Sequence, residues 1–98
     1  MKLRAVPDTS FLIAHFRNNT VQEAFLNLTK YYHVTFSSVV LMELLAGAFD
    51  PRERVKGLLA DILIAVSVRD IGAVLITRNE KDFRLIRDVC DFKYIVVE

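Results

Sequence analysis

The chain has few of the residues that mark the commonest special chemistries. It contains one cysteine, Cys90, so no internal disulfide can form and no paired-cysteine metal pattern exists. Its two histidines, His15 and His33, have no zinc-like spacing, and a lone thiol does not supply one. Only three glycines occur, too few for a glycine-rich phosphate loop. Thirteen basic and twelve acidic residues leave a net charge of +1. No overall field therefore marks a nucleic-acid or membrane partner, although a local basic patch stays open. The longest apolar run, residues 62–68, contains Ser67 and stops at Arg69 and Asp70, well short of a membrane span. Residues 1–7 lack the apolar core of a signal peptide. No repeat, linker or low-complexity segment is present. Together these absences give the expectation of a soluble protein in a reduced, cytoplasmic setting, with no membrane partner.

What is present is a globular composition. With 98 residues, 53% apolar and 26% charged, the chain reads as a single domain spanning 1–98, able to bury roughly 65% of its unfolded surface. A strand is expected over 3–6, closed by Pro7, which has no N–H for a ladder and belongs at a strand end or on its free side. Asp8, Thr9 and Ser10 offer caps for a helix over 9–17, and Asn18-Asn19 break it. Val21, Ala24, Phe25 and Leu28 carry the helical period over 20–30. A short strand over 34–36 precedes a serine-capped helix over 39–49. Asp50-Pro51 with Glu53 is a helix-start signal. The new helix either stops at Gly57 or runs on into 58–71, since a helical glycine costs only about 1 kcal/mol. Gly72 ends it, 73–77 is a continuous apolar strand of the doubly buried kind, 80–89 is a helix and 94–97 a last strand. Strands separated by helices imply a parallel sheet of about four strands with helices on both faces, a three-layer α/β/α fold.

The acids stand out against this frame. Glu43 is the only charged residue between Val34 and Phe49, and an ionised carboxylate out of water costs several kcal/mol unless cations or donors meet it. A glutamate reaching solvent at a helix edge is the plain alternative. Asp61 sits among Leu, Ile, Ala and Val and reads either as a helix cap or as a buried acid. Asp8 can cap its own helix, while Asn79 and Asp82 can be turn and cap residues. Their conjunction is more informative. Asp8 and Asn79 each follow a strand, at the end where α/β domains assemble chemistry, and Glu43 and Asp61 lie on helices that must pack against that sheet. Carboxylates converging in one crevice repel, and hard divalent cations such as Mg²⁺ or Mn²⁺ resolve the conflict with oxygen ligands.

The series Asp8-Thr9-Ser10 with Leu12-Ile13, Ser38-Val39-Val40 to Glu43-Leu44, Ala60-Asp61 to Ile64-Ala65, and Leu75-Ile76-Thr77-Arg78-Asn79 to Asp82-Phe83 resembles the PIN domain family in order and character. It looks most like the VapC-type toxin ribonucleases of VapBC toxin–antitoxin systems. The resemblance implies a PIN-like α/β/α fold and an Mg²⁺- or Mn²⁺-dependent endoribonuclease that cuts RNA by metal-activated water. Carried over by position, Asp8, Glu43 and Asp61 match the family's core acids, and Asn79 matches the fourth position, with Asp82 close enough to replace it. Asp8, Glu43, Asp61 and Asn79 would be metal ligands, and Asp82 would join them in catalysis. Thr9 or Ser10, and Thr77, match supporting hydroxyls; Arg78, Lys81 or Arg84 are either contacts for RNA phosphates or, the plainer alternative for any one of them, a solvated helix face.

The resemblance also implies partners: RNA as substrate and an antitoxin protein. One departure qualifies it. Between the Glu43 helix and the Asp61 helix, roughly a helical hairpin of the family pattern is missing. The loss would expose apolar surface that favours a homodimer, with exchanged elements if residues 50–71 form one helix. Asp61 would then complete a pocket either within one subunit or across an interface. The alternative function is a catalytically inactive, shortened PIN-like module acting in dimerisation or antitoxin binding. A flavodoxin-like phosphoacceptor or nucleotide-binding domain ranks last, for want of a glycine-rich loop.

Overall fold

The computed structural model describes residues 2–18, 21–45 and 54–97. In chain order these form β1 (Arg4–Pro7), α1 (Thr9–Asn18), α2 (Gln22–Tyr31), β2 (His33–Val34), α3 (Ser38–Leu45), α4 (Arg54–Asp70), β3 (Val74–Thr77), α5 (Glu80–Arg87) and β4 (Lys93–Val96). The strands make one sheet in the order β2-β1-β3-β4, and every pairing is parallel.

Two apolar clusters flank this sheet, an arrangement compatible with three α/β/α layers. Val6 and Leu75 look one way, towards Val40 of α3, Ile64, Ala65 and Val68 of α4, and Phe83 and Ile86 of α5. Ala5, Val74 and Ile76 look the other way, towards Phe11 and Ala14 of α1 and Leu28 of α2. Alternate residues of a strand point to opposite faces, which is why neighbours part company here. All of β3 is buried, as its unbroken apolar run predicts.

Local signals set most boundaries. The Ser37 hydroxyl accepts the Val39 N–H at 3.2 Å, which starts α3. At the end of α4, Gly72 adopts φ +66° and its N–H donates to the Arg69 carbonyl at 3.1 Å; this left-handed turn suits glycine. α4 runs unbroken through Gly57, so the helix continues where the sequence left two options. The helix-start signal at Asp50-Pro51 lies outside the described residues. Asp61 consequently lies well inside α4 and caps nothing.

Pro7 shapes the sheet more than its place at a strand end suggests. The Asp8 N–H donates to the Ile76 carbonyl on β3 at 2.8 Å, so the nitrogen one residue earlier faces β2. On that side the Thr35 N–H still reaches the Ala5 carbonyl at 2.9 Å. The next bond would need an N–H that Pro7 does not have, and β2 ends. The strand expected over 34–36 is therefore shorter and earlier, at His33–Val34. Among the described residues no helix is long and apolar enough to cross a membrane.

Candidate active site

The sheet order places β2 on one side of β1 and β3 on the other. Helices α1 and α2 follow β1 on one face, and α5 follows β3 on the opposite face. Where connections diverge in this way, a crevice opens outside the carboxyl ends of the two central strands. Asp8 and Thr77 stand at that crevice, and both are buried, at 2% and 0% exposure.

Asp8 is gripped by donors. Its Oδ1 accepts the Phe11 N–H at 2.9 Å, which caps α1, and the Ser10 hydroxyl at 2.8 Å. Its Oδ2 accepts the Thr77 hydroxyl from β3. Three of a carboxylate's roughly four acceptor positions are filled among the described residues. Burial nevertheless pushes the Asp8 carboxyl up to about 6, with a smaller upward contribution from Glu43, against the lowering effect of the three hydrogen bonds.

Glu43, on α3, is half-buried and accepts the Thr9 hydroxyl at 2.6 Å. This bond ties the start of α1 to α3 and places the only acid of the apolar helix beside Asp8. Asp61 comes in from α4. Its carboxyl is pushed up to about 7, first by desolvation and then by the negative charges of Asp8, Glu43 and Asp82, with no compensating donor among the described residues. Asp61 thus lies within electrostatic reach of Asp8, Glu43 and Asp82 of the same chain.

The turn after β3 separates Asn79 from Asp82. The Asn79 N–H donates to the Thr77 hydroxyl oxygen at 2.9 Å, and its side-chain amide donates to Asp82 Oδ2 at 2.9 Å. Asp82 is the member of this turn whose charge acts on Asp61; Asn79 reaches the cluster through Asp82. Ser10 carries a further link, because its oxygen accepts the Arg78 N–H at 3.2 Å while its hydroxyl donates to Asp8. Arg78, Lys81 and Arg84 are exposed, the first in the turn after β3 and the other two on α5.

The donor set is entirely oxygen, and its negative charges add to burial in raising the proton affinity of Asp8 and Asp61. That chemistry fits a hard divalent cation, which relieves the repulsion without protonation. Among the described residues, however, no three His, Cys, Asp or Glu side chains are gathered closely enough to form a ready-made metal cage. No family model, curated protein or solved structure matches this chain.

Proposed function

We propose that the protein is a metal-dependent endoribonuclease of PIN type, acting as the toxin of a toxin–antitoxin pair. The observation that supports this reading is a set of acids, Asp8, Glu43, Asp61 and Asp82, near the carboxyl ends of the central strands, where desolvation first and then the charges of the other three push the Asp61 carboxyl up to about 7. Asp8, Glu43 and Asp61, with Asp82 and Asn79 from the turn, would hold Mg²⁺ or Mn²⁺. Bound there, the ion supplies Lewis acidity, which activates water and offsets charge on the phosphate in the transition state.

The chain's own groups do the rest. Asp8 is fixed by the Ser10 and Thr77 hydroxyls and the Phe11 N–H, so it would present a rigid carboxylate oxygen to the ion rather than to the phosphate. Glu43, oriented by Thr9 and less buried than Asp8, would orient or deprotonate the attacking water, or hold a second cation. Arg78, Lys81 and Arg84 supply positive charge for the phosphate backbone. The partners in this reading are RNA, an antitoxin protein and a second copy of the chain. Exposed Leu41 and Met42 on α3 and Leu59, Ile62 and Leu63 on α4 provide apolar surface for the protein partners.

One observation favours a second reading, an inactive PIN-like module that keeps its binding partners: the acids are not drawn into a three-ligand cage among the described residues. Cleavage of labelled single-stranded RNA in Mn²⁺ separates the two. Wild type should cut and Asp8→Ala should lose at least about a hundredfold in rate, the scale of removing a group that organises a metal site. Cleavage that survives the substitution overturns the assignment. Cation binding without cleavage by wild type selects the second reading.

A further inference from the structure

Resting on the metal-dependent reading, we infer that Ser10 sets the cation preference of the site. Its hydroxyl keeps Asp8 a one-oxygen ligand, which favours small octahedral cations of the Mg²⁺ class over Ca²⁺. The inference starts from the way the chain leaves β1. Asp8 stands just before the first turn of α1, so the Phe11 N–H is aimed back at its Oδ1 and donates at 2.9 Å. Ser10, in the same turn, donates its hydroxyl to the same oxygen at 2.8 Å. A carboxylate oxygen has about two acceptor positions, and on Oδ1 both are taken. Oδ2 accepts only the Thr77 hydroxyl among the described residues, so the position left open belongs to Oδ2.

Both donors on Oδ1 are locked. The Phe11 N–H belongs to the backbone of α1. The Ser10 oxygen accepts the Arg78 N–H at 3.2 Å; an amide N–H can only donate, so the single hydroxyl hydrogen of Ser10 is left for Asp8. The other acids are freer. Glu43 accepts one hydroxyl, from Thr9, on Oε1, and Asp61 has no donor among the described residues. Asp8, at 2% exposure, is therefore the fixed member of the set, with one oxygen closed in advance. Ca²⁺ gathers roughly 6–8 oxygens and takes carboxylates through one oxygen or both, whereas Mg²⁺ demands a near-ideal octahedron that suits a single oxygen from each carboxylate. A rigid Asp8 with one open position meets the second demand and denies Ca²⁺ the extra oxygen.

Calorimetric titration of the metal-free protein at pH 8, with Mg²⁺ and separately with Ca²⁺, reads the preference without a cleavage step. Ser10→Ala opens the second position on Oδ1, and the ratio of Mg²⁺ to Ca²⁺ affinity should fall about tenfold, the lower end of what losing a ligand's hydrogen-bond partner does to metal affinity. Ser10→Cys, a weaker donor, should move the ratio the same way by less, and Ser10→Thr, which keeps the hydroxyl, should keep the wild-type ratio. Thr77→Val frees a position on Oδ2 alone, so it should leave the ratio unchanged even where it weakens both cations. A wild-type ratio in Ser10→Ala and Ser10→Cys overturns the inference and leaves the metal-dependent reading standing, as does an equal fall in Thr77→Val. If wild type binds neither cation, the metal-dependent reading falls and this inference falls with it.

Discussion

The two ends of the sheet handle charge in opposite ways. At the amino end, Arg69 and Asp70 form an ion pair at 3.1 Å with side chains 48% and 61% exposed, and Asp91 and Lys93 line a shallow cavity beside them with Phe92 and Gly72. Water screens these charges, so they cost folding little and contribute little. At the carboxyl end, Asp8 is buried and Asp61 half-buried, and both carboxyls are driven up in pKa. The same residue type is neutral in effect at one end and an energetic liability at the other. A liability retained in a crevice, with Asp8 held in place by the Ser10 and Thr77 hydroxyls, points to use.

The contrast can be tested at both ends. The largest effect should come from pH. Asp8 and Asp61 bind a proton more tightly folded than unfolded, their carboxyls rising from 3.8 to about 6 and about 7. Their contribution to stability is therefore best where both states hold the proton, is lost progressively as pH rises from near 4 to near 7, and stays lost above. Denaturant unfolding at pH 5 and pH 8, without divalent cations, should show a loss of about 2–3 kcal/mol at the higher pH, a figure discounted for the partial access of Asp61 to water. Equal stability at the two pH values would erase the distinction between the ends.

A smaller effect is expected from Asp61→Asn. It removes a desolvated charge facing three others and should raise stability at pH 8 by on the order of 1 kcal/mol after allowance for solvent screening. On the proposed metal-dependent reading, Mn²⁺ should raise the wild-type melting temperature at that pH, and Asp61→Asn should abolish the increase. A destabilised variant with an intact Mn²⁺ response would show that Asp61 stands apart from the cluster. The smallest effect belongs to the amino end. Asp70→Ala should change stability by less than about 0.5 kcal/mol at either pH, and a larger change would mean that the exposed pair is not screened as its surroundings require.

Elements governed by local rules were legible in the sequence. The serine before α3, the glycine after α4 and the apolar run of β3 each depend on neighbouring residues alone, and the observed boundaries follow them. Asp8 at a strand end was legible for the same reason. What was not legible depends on contacts distant in sequence. Gly57 left the start of α4 open because its helical penalty is small beside the packing of Ile64, Ala65 and Val68 on the sheet. Asp61 looked like a cap because only the continuous helix reveals it as an interior residue. The respective parts of Asn79 and Asp82 depend on where an amide points, which spacing cannot say. The length of β2 was misjudged since the residue that stops it lies on another strand.

That short strand bears on how copies of the chain meet. Edge strands offer unpaired N–H and C=O groups to any extended neighbour, and brevity is one of the common defences. The β2 edge spans only two residues, so it gives a foreign strand almost nothing to register against. The opposite edge, β4, runs for four residues with Ile95 40% exposed, and Lys93 at its start is its charged guard. Proline in a central strand thus closes one side of the sheet to strand addition and leaves β4 as the side where aggregation would begin.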